Sequence, residues 1–466
     1  MKTAKWMVLS SLLLSPAVPS QAQQLSAGGA PEFVWKQSLP IRPGDPRINA
    51  IGGTELRAIA GFNNKLFAAV GYWKDSESEN PALPGAQVVR LDGPGSTWRV
   101  DLQLDDRNPR GLRLYQAIST LEKVRFTTDS SGRALAAPVE MLLAGVWKRG
   151  PGLDVFSRAA GSDARPWSKT RMPGQESAPR GTQIRAFAVH KDEVTGADIV
   201  FAGATNAIFA GAYNSDRQTI AWNARPDWQG EYDGDPSAKG RVSSFADCAG
   251  KFYAAAYDKI YVRVDGRSPA WKEVFGTTIH TDSERVTGLR GLTCVRGASG
   301  ADEALLVSVE DNPSRVYRIE PARGYKATLE LDVSSFLTKA LNTETQYAIV
   351  AYNDMTEYPD PSGSCPRHLI GLEANTPNAA ETFDRHNPNA MYLVRDCHGG
   401  YALHEIRDLQ IAPKPQLVSV RTLAVSPFQS DPPGTVYAGG FDTNRNESHN
   451  TAWLYKGVPA AASDAQ

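Results

Sequence analysis

The run Val200-Phe201-Ala202-Gly203 sets two bulky apolar residues before two small ones, and the pattern returns along the chain. It recurs as Leu66-Phe67-Ala68-Ala69, Leu142-Leu143-Ala144-Gly145, Phe252-Tyr253-Ala254-Ala255 and Val436-Tyr437-Ala438-Gly439. Looser copies are Leu306-Val307-Ser308-Val309 and Leu369-Ile370-Gly371-Leu372. Each follows an alternating run: Ala58-Ile59-Ala60, Ala117-Ile118-Ser119, Ala186-Phe187-Ala188, Ser244-Phe245-Ala246, Gly291-Leu292-Thr293, Ala348-Ile349-Val350 and Thr422-Leu423-Ala424. A third run comes after it, as in Gln87-Val88-Val89-Arg90-Leu91, Ile260-Tyr261-Val262-Arg263-Val264 and Val316-Tyr317-Arg318-Ile319. A fourth opens with an aromatic residue: Trp98, Trp167, Trp222, Trp271, Tyr325 or Tyr401. Short alternating runs bounded by Gly, Pro and Asp are the signature of β-strands. Small residues at one register of a strand let neighbouring backbones approach closely.

Four strands per unit and seven units predict an all-β fold, a seven-bladed β-propeller of the general propeller superfamily. A β-sandwich with added domains would not produce seven comparable quartets. The last unit lacks its fourth strand, because after Thr451-Ala452-Trp453-Leu454-Tyr455 the chain meets Gly457 and an Ala-rich tail. Phe33-Val34-Trp35-Lys36-Gln37-Ser38-Leu39 matches the Trp-Lys pattern of Trp271-Lys272 and supplies the missing strand. Residues 33–40 are therefore expected to close the last blade, removing exposed sheet edges. The expected organisation is a signal peptide at 1–22, one propeller domain at 23–457 and a disordered tail at 458–466.

Lys+Arg 50 against Asp+Glu 51 leaves a net charge of -1, which gives no global pull toward nucleic acid or an anionic membrane. A hydrophobic fraction of 41% excludes a disordered chain, and Gly 40 with Pro 31 favours turns over long helices. Lys2 and Lys5, the apolar run Trp6 to Leu14 and Ser20-Gln21-Ala22 read as a secretory signal cut after Ala22. That run is far shorter than the ~20 residues that span a bilayer. The protein is expected to be exported, secreted or periplasmic, and monomeric. Cys248, Cys294, Cys365 and Cys397 contain no C-x-x-C spacing, so disulfides are expected rather than zinc. The repeat frame favours Cys248–Cys294 and Cys365–Cys397.

In a propeller the first strand of every blade lines the central channel. The residues just before these strands form a ring: Arg57, Gln116, Arg185, Ser243, Arg290, Tyr347 and Arg421. Guanidinium groups present fixed forks for carboxylate, sulfate or phosphate. The expected function is binding of an anionic ligand, an acidic glycan or carboxylate-bearing molecule, at this mouth. Arg57, Arg185, Arg290 and Arg421 carry the charge, Gln116 shares the ring, and Tyr347 stacks or donates a hydrogen bond. Asp258, Glu310, Asp311, Glu373 and Asp442 end the second strands on the same side, so the arginines can instead hold blade to blade. Alternatives are a glycoside hydrolase or lyase acting on acidic polysaccharide, and a protein-binding scaffold using the long loops 74–86 and 375–390.

The arginine cluster, Tyr347 and the nearby Glu344, Asp354 and Glu357 resemble the exo-sialidases, as does the shared spacing of Asp92–Trp98, Asp216–Trp222 and Asp265–Trp271. That resemblance implies arginines gripping a carboxylate and Tyr347 as a catalytic nucleophile. The chain departs from the family in several ways. The turns are one residue longer than an Asp-box and lack its central Gly, and no early Arg-Ile-Pro occurs. Tyr347 also precedes Arg421, and seven blades replace six. The propeller oxygenases that cleave carotenoids hold iron with four histidines, but here only His190 lies near a first strand, so no metal centre is expected. Asp442, Asn444 and Asn446 alternate as calcium ligands do, yet Arg445 intrudes, and a hydrogen-bonded turn is the preferred reading. No cofactor is expected.

Overall fold

The computed structural model describes residues 32–39, 51–72, 84–161, 166–173, 183–230, 241–279, 288–345, 347–352, 355–359, 366–376, 390–411, 416–442 and 451–460. They build seven antiparallel four-stranded blades, numbered here in chain order. Blade one is Glu55–Phe62, Lys65–Gly71, Ala86–Leu91 and Arg99–Leu104. Blade two is Tyr115–Thr128, Ala134–Lys148, Asp154–Ala159 and Ser168–Arg171. A single pair, Gly71 with Ala117, joins these two sheets. Blade three is Ile184–Lys191, Asp198–Ala204, Ala207–Asn214 and Thr219–Trp222, and blade four is Val242–Cys248, Lys251–Ala256, Lys259–Val264 and Ala270–Gly276. Blade five is Gly288–Arg296, Glu303–Glu310, Arg315–Glu320 and Lys326–Asp332. Blade six has an innermost strand in two pieces, Tyr347–Val350 and Thr356–Tyr358, followed by Arg367–Asn375, Ala390–Arg395 and Tyr401–Ile406. Blade seven is Ser419–Val425, Val436–Phe441 and Leu454–Pro459, with Phe33–Leu39 as its fourth strand.

Phe33 pairs with Pro459, Trp35 with Gly457 and Leu39 with Leu454. Gly457 is required there, because a Cβ would come within 2.7 Å of the Trp35 indole. The last strand runs past residue 457: Val458 pairs with Val34, and the Ala460 N–H donates to the Glu32 carbonyl at 2.9 Å. The domain boundary expected at 457 therefore falls inside a strand. A helix, Val333–Leu341, links blades five and six. Asp332 caps it by accepting from the Ser335 N–H at 2.9 Å, and Val333, Phe336 and Leu337 are buried.

The small residues of the repeat sit at the seams between blades. A Cβ on Gly439 in blade seven would lie 2.4 Å from Leu56 Cδ2 in blade one. Farther out, the aromatic residue of each fourth strand reaches back to the blade before it. Trp98 Nε1 donates to Ser38 at 3.2 Å, Trp167 to Asp101 at 2.7 Å, Trp222 to Thr170 at 3.3 Å and Trp271 to Asp227 at 2.7 Å. The Tyr401 hydroxyl donates to Glu330 at 2.8 Å, while Tyr325 and Trp35 pack edge-on against Tyr253 and Tyr392. Burying each such ring contributes a few kcal/mol. The aromatic repeat is thus a blade-to-blade staple.

Cys248 and Cys294 form a disulfide between the innermost strands of blades four and five. Cys397 is also disulfide-bonded, and Cys365 lies outside the described residues. So do the signal segment 1–22 and most of loops 74–86 and 375–390. Among the described residues, no helix is long and apolar enough to cross a membrane.

Candidate functional site

The innermost strands share one irregularity. In blades one, two, three, four and seven the pairing register skips between Leu56 and Ala58, Tyr115 and Ala117, Ile184 and Ala186, Val242 and Ser244, and Val420 and Thr422. The skipped residues are Arg57, Gln116, Arg185, Ser243 and Arg421, five members of the ring. A β-bulge leaves its extra residue outside the ladder and re-aims its side chain. Blade five skips later, between Arg290 and Thr293, so Arg290 keeps its place opposite Ser308. In blade six Tyr347 pairs with Asn375, and the strand then breaks at Ala351, whose φ is 64°.

A cavity of about 470 Å³ runs along the axis, bounded by innermost strands of all seven blades. Arg57, Arg185 and Arg421 line its upper end, whereas Arg290 and Tyr347 do not line it. Below them Ile59, Leu121, Phe187 and Leu423 mix with Thr120, Thr293 and Thr422, and Glu122, Lys123 and Glu357 lie toward the far end.

Carboxylates hold three of the four ring arginines. Glu55, wholly buried, lies 2.5 Å from Arg57 Nη2 through one oxygen and pairs with Arg421 Nε through the other. Arg57 rests over the Trp147 ring at 5.1 Å, and Arg421 lies 3.9 Å from the Tyr352 ring and 4.8 Å from that of Phe441. Arg290 Nε donates to Glu310 at 2.6 Å, and the Tyr347 hydroxyl donates to the same carboxylate. Tyr352 and Ser419 both donate to Glu373, the latter at 2.7 Å.

Arg185 differs. With its amide oxygen turned toward the guanidinium, Gln183 accepts from Arg185 Nε and Nη2 at 3.1 and 2.9 Å. Among the described residues no carboxylate pairs with Arg185. Burial, then the like charges of Arg241, Arg290, Arg57 and Arg421, push its pKa well below the usual guanidinium range. Burial also lowers Arg57, with Glu55 opposing and Arg421 adding to the shift. Desolvation opposes the charge of the partly buried Arg421, but Glu55, Tyr352 and Glu373 hold its pKa above the ordinary value.

Tyr347 is 6% exposed, and burial together with Glu310 raises its pKa well above that of a free phenol. Both influences disfavour the phenolate that a nucleophile requires. Glu310 and Glu373, read from the sequence as possible ring partners, do enter the network. Glu55, Gln183, Trp147, Arg241 and Tyr352 went unread. Glu55 stands two positions before Arg57 in the same strand and pairs with it although the bulge at Arg57 interrupts the alternation. His190 sits at the opposite end of its strand, between Asp247 at 2.7 Å and Asp265 at 2.8 Å. Burial opposes its protonation, yet these two carboxylates raise its pKa. Asp442 is buried, whereas Asn444, Asn446 and Asp354 lie outside the described residues.

No protein-family model matches the chain, and no curated protein does. Among solved structures it is similar to the Cps50 (Swd1) β-propeller domain of Myceliophteria thermophila, with 12% identity, coverage of 88% of this chain and 98% of that one, and a TM-score of 0.43. It is also similar to the α-L-arabinofuranosidase Arb93a of Fusarium graminearum, at 12% identity over 92% of this chain and 98% of that one, TM-score 0.42. The NanB sialidase of Streptococcus pneumoniae shows 10% identity over 91% of this chain and 71% of that one, TM-score 0.40. At such values the likenesses carry no inference about chemistry, and the chain is described by its own strands as a seven-bladed β-propeller.

Proposed function

We propose that the protein binds an anionic ligand, an acidic glycan or another carboxylate-bearing molecule, at the arginine-bearing mouth of its channel. The observation that carries this reading is Arg185, a guanidinium that lines the cavity with a neutral amide as its partner. An arriving carboxylate would supply the missing counter-charge through a two-point fork and relieve the repulsion from neighbouring arginines. Arg57 and Arg421, positioned over aromatic rings, add positive potential. The signal-like pattern of residues 1–22 and the Cys248–Cys294 disulfide support an exported protein, secreted or periplasmic.

The test is an array of acidic and neutral glycans probed with the wild type and with Arg185→Ala. The wild type should retain acidic glycans, lose them as salt is raised, and ignore neutral ones. Retention unchanged in Arg185→Ala would overturn the assignment.

A further inference from the structure

Binding of an anion at the mouth leaves open how many charges the site accepts, and the pairing of its own groups answers that question. Three buried carboxylates, Glu55, Glu310 and Glu373, pair with or act on the ring arginines Arg57, Arg290 and Arg421, and none of the three pairs with Arg185. Glu310 is taken by Arg290, and Glu373, which accepts from the Tyr352 hydroxyl, acts on Arg421 through its charge. Glu55 bridges Arg57 and Arg421, the two cavity-lining arginines other than Arg185. It already occupies the place a second anionic group would need. The uncompensated charge is that of Arg185. Arg241 adds positive potential beside it and takes part in an interaction of its own.

We infer that Glu55 is a specificity-determining residue: a resident carboxylate that fills the Arg57–Arg421 pair and restricts the mouth to ligands presenting a single negative charge. The inference rests on the anion-binding reading above. Three features keep Glu55 in place. It has no exposure to solvent, each of its oxygens engages a different arginine, and both arginines are backed by aromatic rings. A ligand anchored on Arg185 that carried a second charge would direct it toward this carboxylate in a site of low dielectric, where like charges repel strongly.

The experiment uses calorimetric titration of the full chain with D-glucuronate and D-glucarate, sugar acids that share a carbon skeleton and carry one carboxylate or two. Wild-type protein should bind glucuronate at least as tightly as glucarate, against the bare Coulomb preference for the dianion. Glu55→Gln keeps the shape, removes the charge and frees two guanidinium forks. It should shift the preference toward glucarate by about tenfold or more, the effect of one added charge-assisted contact. An unchanged ratio of affinities in Glu55→Gln overturns the role of Glu55. A wild type that already prefers glucarate overturns it too, and that arm decides the matter even if the variant does not fold. Failure of both proteins to bind either anion overturns instead the anion-binding reading beneath it.

Discussion

Replacing Arg185 by Met should make the fold more stable while it abolishes binding. In the wild type this guanidinium is partly buried along the cavity wall, faces the like charges of Arg241, Arg290, Arg57 and Arg421, and has the Gln183 amide as its partner. Two hydrogen bonds to that amide contribute about 1 kcal/mol each. Burying an ion without a counter-ion costs several kcal/mol when burial is complete, and the like charges around this partly buried guanidinium add to whatever part of that cost remains. The difference favours the variant by about 1–3 kcal/mol, given that Met is unbranched and adapts to irregular space. With about 2.1 cal/mol/K of unfolding entropy per residue, a chain of 466 residues moves its Tm by only about 1 °C per kcal/mol. Denaturant titration is therefore the more sensitive assay. Added glucuronate should raise the midpoint of the wild type by mass action and leave that of Arg185→Met unmoved. A variant less stable than the wild type by more than about 1 kcal/mol would show that Arg185 is a structural strut. Continued stabilisation of the variant by glucuronate would place the anion elsewhere.

Three other perturbations test the framework. His368 is buried without a hydrogen-bond partner beside Arg395, and its pKa is pushed down to about 4 from 6.5. Its protonation therefore favours the unfolded chain, and stability intact above the unfolded value should be lost as pH falls toward the folded one. The loss between about pH 7 and about pH 5 is about 2 kcal/mol, and His368→Leu should remove that part of the pH slope in denaturant titrations at both values. Gly439→Ala drives a methyl to 2.4 Å from Leu56 at the seam of blades seven and one, so urea unfolding should show a loss of about 1–3 kcal/mol, and an unaltered midpoint would contradict the packing described. Cys248→Ser with Cys294→Ser opens a link of sequence separation 46. By loop entropy this costs up to about 4 kcal/mol, read as the drop in urea midpoint of the variant against the wild type under non-reducing conditions, and an unaltered midpoint would contradict it.

The strands were legible because each constraint on them is local. A small residue such as Gly203 or Gly439 marks a seam wherever it follows a bulky apolar pair, and an aromatic such as Trp167 marks the start of an outer strand. The ring positions could be found by counting back from the alternating runs, and five of them prove to be bulge residues. The bulges themselves were not legible, since adding one residue to a short strand alters no periodicity that can be measured over so few positions. The charge partners of the ring were harder still. Glu55 meets Arg421 because blade seven lies against blade one, so their pairing is a product of the whole fold. Tyr352 enters the mouth through a break in blade six at Ala351, a left-handed residue that nothing in Ala348-Ile349-Val350 announces. The helix after Asp332 interrupts the strand repeat, and its cap, Asp332 with Ser335, is the signal that marks it.

The rim gives the mouth its meaning. There the chain places a carboxylate against its buried arginines by a repeated device. Asp101 accepts from Arg90, Arg158 and Trp167, and Glu330 from Arg318, Arg395 and Tyr401. Asp227 accepts from Arg263 and Trp271. Each device joins two blades and satisfies a guanidinium that would otherwise be costly to bury. At the axis the same logic holds for Arg57, Arg290 and Arg421. Arg185 breaks it on a bulge that turns the side chain out of the ladder toward the cavity. Selection for stability alone would replace such a residue, as many neutral side chains suit a bulge at the channel, Gln116 and Ser243 among them. Under the anion-binding proposal, the guanidinium of Arg185, which no carboxylate of the described residues neutralises, takes its counter-charge from the ligand.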